Sequence, residues 1–93
     1  MRAEQASLAA LVRAAKSRLQ RLEGEALPLA EDAYASAAEG YRVGKFDLTA
    51  TLDARRSLIE TRAAVIDARL ALQLYTLRLR ALIGAAPFEG EIQ

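Results

Sequence analysis

Apolar residues along this chain fall into two long helical patterns separated by a polar, glycine-containing break near its middle. In the first, Leu8, Val12, Ala15, Leu19, Leu22, Ala26, Leu29 and Ala33 recur at alternating intervals of four and three. That spacing is the seam of a coiled coil and predicts a helical arm over about residues 3–41. The second pattern predicts an arm over about 47–83 and carries two stripes. One is Leu52, Ile59, Ala63, Ile66, Leu70 and Leu77; the other is Ala54, Leu58, Val65, Ala68, Leu72, Tyr75, Leu79 and Leu82. At 3.6 residues per turn these stripes lie on nearly opposite sides of one helix. Between them stand Arg55, Arg62 and Arg69 on one flank, and Asp53, Glu60 and Asp67 on the other.

The break is Gly40-Tyr41-Arg42-Val43-Gly44-Lys45-Phe46-Asp47. Gly44 can take the positive φ that ends a helix at little steric cost. Asp47 can accept the orphan amides of the following helix as its N-cap. The pattern is a stop, a tip over 42–46 and a restart, so residues 1–84 read as one long antiparallel helical hairpin of all-α class. The arms match in length, at about 55–60 Å each. Pro28 interrupts the first arm, because in an α-helix its ring presses on the carbonyl of Gly24. A kink near 24–28 is expected; the other reading has Pro28 opening a separate helix at its first turn. Gly84 and Pro87 predict the end of the second arm, leaving 85–93 as a mobile tail.

A hairpin so thin has no interior of its own, and each arm can hide only one stripe on the other. The second stripe of the C-terminal arm requires another neighbour. A row of such helices makes a wall, and a closed wall makes a tube. The other solution is a four-helix bundle in which a partner hairpin covers the broad apolar face.

Composition narrows the function. Apolar residues make up 53% but aromatics only 5%, which suits helices in close contact. Formal charge is +1 from 13 basic and 12 acidic residues, without the basic face that nucleic acid requires. Cysteine and histidine are both absent, which removes disulfides, most zinc sites and most nucleophile–base pairs. Neither a phosphate-binding glycine loop nor a catalytic constellation is present, so no enzyme, cofactor or metal is expected. The chain opens within helical sequence at Met1-Arg2-Ala3-Glu4, and is expected to be a piece of a longer protein.

The tip and the start of the second arm resemble a known family. Gly40-Tyr41-Arg42-Val43-Gly44-Lys45-Phe46, with Leu52-Asp53-Ala54-Arg55-Arg56-Ser57-Leu58 beyond, is similar to the periplasmic tip of TolC-family outer membrane efflux proteins. Leu27-Pro28-Leu29-Ala30-Glu31 and Leu82-Ile83-Gly84 fit as well, and the flavour is that of the heavy-metal branch, the CzcC and CusC type. The resemblance spans about residues 20–84; its tip motif is moderately specific and its helices are not.

Such a resemblance implies a C-terminal hairpin of a periplasmic α-barrel. The parent would be an outer membrane trimer of a Gram-negative bacterium and a passive duct. An inner membrane pump and a periplasmic adaptor would dock beneath it. By match, Val43, Gly44 and Lys45 would meet the adaptor, while Tyr41, Phe46 and Asp53 would form the entrance gate. Plainer roles stand beside these: Gly44 permitting the turn, Tyr41 packing across it, and Asp53 as an early-turn acid favoured by the helix dipole. Two departures from the family pattern are Phe46 in place of a gate arginine and Ala50 in place of a second aspartate. They imply closure by apolar contact instead of an ionic link. The alternative function is a freestanding antiparallel coiled-coil scaffold without a transport role, and the piece alone could form a dimeric four-helix bundle.

Overall fold

A computed structural model of the chain describes residues 2–84 in full and, beyond them, only the helical path of the backbone to Ile92. The described residues are helical apart from one tight turn. Helix α1 spans Arg2–Arg21, a single π-helical turn spans Leu22–Ala26, α2 spans Leu27–Arg42, and α3 spans Leu48–Ile92. None of the helices is long and apolar enough, among the described residues, to cross a membrane. Contacts divide the chain into two compact units, Met1–Leu19 with Ala68–Gln93, and Gln20–Asp67.

In the first unit, Ala15 of α1 and Ala68 of α3 are buried, and Leu8, Val12, Leu19, Leu72, Tyr75, Leu79 and Leu82 are half-buried. A groove between them is lined by Leu11, Ala14, Ala15 and Arg18 from α1 and by Ala68, Ala71 and Tyr75 from α3. Alanine at the closest positions lets two helix backbones approach, and burying the flanking leucines provides the driving force, about 25 cal/mol per Å² of apolar surface.

In the second unit, Leu58 and Val65 of α3 are buried, as are Ala37 and Gly40 of α2. Thr51 of α3 donates its hydroxyl to the carbonyl oxygen of Ala37 at 3.1 Å, joining residues 14 apart in sequence. Within each unit, the α3 stripe running through Ala54, Leu58, Val65, Ala68, Leu72, Tyr75, Leu79 and Leu82 is the covered one. The opposite stripe is open to solvent, with Leu52, Ile59 and Ile66 exposed in the second unit and Leu70 and Leu77 in the first.

The irregularity expected near 24–28 is a π turn, and it changes which residues point inward. The Leu27 amide donates to the Leu22 carbonyl, five residues back. This places Pro28 in the first turn of α2, where its missing N–H matters least. It also adds one residue to the turn and rotates everything beyond by about 100°. The seam therefore runs through Leu8, Val12, Ala15, Leu19, Leu22 and Ala26, then passes to Ala30, Tyr34 and Ala37. Leu29 and Ala33, expected on the seam, are exposed instead, Leu29 to 72%.

A second correction concerns the end of α3. The helix does not stop at Gly84 but passes it and Pro87 to reach Ile92. Glycine weakens a helix by about 1 kcal/mol without forbidding it, and a proline removes one backbone bond. The expected mobility of 85–93 lies outside the fully described residues.

Candidate functional site

The turn between α2 and α3 is built by backbone hydrogen bonds. Val43 ends α2 with φ −92° and ψ 6°, and its amide donates to the Glu39 carbonyl at 3.1 Å. Gly44 comes next at φ +79°, the one residue with positive φ in the described chain. Its amide donates to the Tyr41 carbonyl at 3.0 Å, and the Lys45 amide donates to the Gly40 carbonyl at 2.7 Å. This pair of bonds is a Schellman closure, which requires a left-handed residue at the Gly44 position. The Phe46 amide also donates to the Gly40 carbonyl, at 3.0 Å.

That last bond turns the Phe46 ring back onto α2. A Cβ on Gly40 would lie 2.7 Å from the ring's Cε2 and 3.0 Å from its Cγ, so the bare backbone of Gly40 is the seat of the ring. The Lys45 ammonium sits 5.6 Å from the centre of the same ring, within cation–π range.

Asp47 then caps α3, its Oδ1 accepting the Ala50 amide at 3.1 Å. Asp47→Ala should lower stability by about 0.5–2 kcal/mol, read from a urea midpoint. Asp47→Asn should retain most of it, and equal loss with both would exclude capping as the cause.

On the α2 side of the tip, Arg42 clamps Glu39 through two bonds, Nε to Oε2 at 2.9 Å and Nη2 to Oε1 at 2.6 Å. The guanidinium holds the Glu39 carboxyl below its ordinary pKa, and the carboxylate raises that of Arg42. The contribution of the pair is therefore present above the usual carboxylate pKa and lost as pH falls through the lowered folded value. Both groups are exposed, which keeps that contribution small.

Of the residues singled out from sequence, the structure gathers three. Val43, Lys45 and Phe46 share a shallow groove with Ala35, Ser36, Glu39 and Gly40. Val43 is an apolar knob beside the Lys45 cation and the Phe46 ring, and it is 58% exposed. Gly44 shapes the turn and has open space where a side chain would project. Tyr41 and Asp53 do not line this groove. Tyr41 is half-exposed on the last turn of α2, and Asp53 is exposed on the acidic flank of α3 with Glu60 and Asp67.

Thr51 is a tip residue that the sequence pattern did not single out, and Gly40, read there only as part of the break, is also the seat of the Phe46 ring. Thr51 does continue the covered stripe three residues before Ala54, which was the available signal. Among the described residues no group of three or more Asp, Glu, His or Cys side chains could hold a metal ion. The tip thus groups an apolar knob, a cation and a flat ring around one shallow groove. No protein-family model, curated protein or solved structure matches the chain.

Proposed function

We propose that the chain is an antiparallel helical hairpin, packed as a coiled coil, that forms part of the helical wall of an outer membrane efflux duct of the TolC type. The parent would be trimeric and passive, and the groove around Val43, Lys45 and Phe46 would receive a periplasmic adaptor coupled to an inner membrane pump. The observation that carries this reading is the open apolar stripe on α3, opposite the covered one. A helix apolar along two opposed edges suits a wall, where each helix has a neighbour on both sides. The Thr51–Ala37 hydrogen bond across the tip supports the antiparallel arrangement. Asp53, on the acidic flank, would then face the lumen and favour cations, and Phe46 and Tyr41 would narrow the entrance by apolar contact.

Val43→Asp in the intact parent protein tests the docking part. Val43 is 58% exposed, so trimers should still reach the outer membrane while export is lost. Export at the parental level, with normal trimers, would remove the tip from the docking role.

A second reading is a freestanding coiled-coil module without transport. It is favoured by the oppositely charged flanks of the open α3 stripe, which suit pairing with a like helix.

A further inference from the structure

We propose that, in this chain on its own, the open edge of α3 within Gln20–Asp67 is covered by the same edge of a second copy, the two α3 helices running in the same direction. Leu52, Ile59 and Ile66 recur every seven residues along this edge and are 51%, 54% and 57% exposed. Ala63 lies between them, four residues after Ile59 and three before Ile66, which makes a heptad seam. Arg55 and Arg62 precede Arg56 and Ala63 on one flank; Asp53, Glu60 and Asp67 come directly after the large apolar residues on the other. All of these charged residues are exposed.

The signs of the flanks decide both the partner and its direction. In a same-direction pair, each flank of one helix meets the opposite flank of the other, five residues further on. Arg55 then meets Glu60 of the second copy, Arg62 meets Asp67 of the second copy, and the symmetry repeats both contacts. In an opposite-direction pair, like flanks meet, setting arginine against arginine and acid against acid, which is unfavourable. One sequence thus supplies both halves of a complementary interface, so a second copy is the fitting occupant.

A groove lined by Leu52, Arg55, Arg56, Ile59 and Glu60 lies on this edge and can take an apolar side chain of the partner. Arg56 falls on the seam itself. Its aliphatic stem can lie along Leu52 and Ile59, and its charged head is one turn from Glu60. A polar seam position of this kind fixes register at some cost in stability.

The chain has no cysteine, so direction can be read by disulfide trapping. Leu52→Cys and Ile66→Cys should each oxidise to a disulfide-linked dimer alone, and a mixture should give no mixed product. Both sites are solvent-facing, and an unchanged helical circular dichroism signal checks that the variants fold. Glu60→Arg with Asp67→Arg should weaken self-association by at least about tenfold, and mixing with the Arg55→Glu, Arg62→Glu variant should restore it. A chain that sediments as a monomer at all concentrations, or cysteines that cross-link only 52 to 66, would overturn the proposal. Neither result touches the duct reading, in which other helices of the parent cover the edge.

Discussion

Leu58→Ala should lower the stability of the chain by about 2–5 kcal/mol, whereas the identical deletion at Leu29 should cost under about 1 kcal/mol. The two leucines belong to equally regular sequence patterns, but Leu58 is 5% exposed and Leu29 is 72% exposed. Removing three carbons at a covered position loses their transfer free energy and leaves a void that the neighbouring helix fills only in part. Removing them at an open position loses little, because water was already there. The contrast tests the π turn, since an unbroken helix would carry Leu29 into the seam. Equal losses in urea midpoint for the two variants would mean that the phase of α2 is not rotated. The seam is rich in alanine, so each large side chain in it carries an unusual share of the stability.

The parts of this fold that were legible from sequence derive from local chemistry or from strict period. Gly44 and Asp47 could be assigned because a left-handed helix stop and an N-cap each demand particular residue types, and the structure places φ +79° and the Ala50 amide bond where those demands fall. The covered stripe of α3 was legible because no break disturbs its period between Leu48 and Gly84. On the N-terminal side, Gly24 and Pro28 announced a disturbance but not its form. A kink would preserve the helical phase, whereas a π turn shifts it by one residue, and the energy separating them depends on which face the partner helix covers. Hence Ala30 and Tyr34 replaced Leu29 and Ala33 for a reason outside the segment itself. Gly84 and Pro87 mislead in the opposite way: both weaken a helix, and neither forbids one. The candidate tip was legible in its turn residues but not in its packing. The seat of Phe46 on Gly40 depends on a backbone bond that exists only once the turn has closed.

That seat supplies the second large effect. Gly40→Ala should destabilise the chain by about 1–2 kcal/mol, although alanine is the better helix former. Two opposing effects set the sign. In the helix, alanine is favoured over glycine by up to about 1 kcal/mol. Against this, the new methyl would overlap the Phe46 ring near its root, at Cγ as well as at Cε2, so a change in the ring's outer tilt cannot relieve the contact. Overpacking of this kind typically costs about 1–3 kcal/mol. Phe46 would have to leave α2, giving up its apolar contact and the placement of Lys45 over its face. A double-mutant cycle isolates the cause, because in a Phe46→Ala background the overlap disappears and only the helix preference remains. There Gly40→Ala should stabilise the chain, by up to about 1 kcal/mol. If Gly40→Ala is destabilising in both backgrounds, the ring is not what demands glycine, and the groove beside Val43 owes its shape to something other than the Phe46 seat.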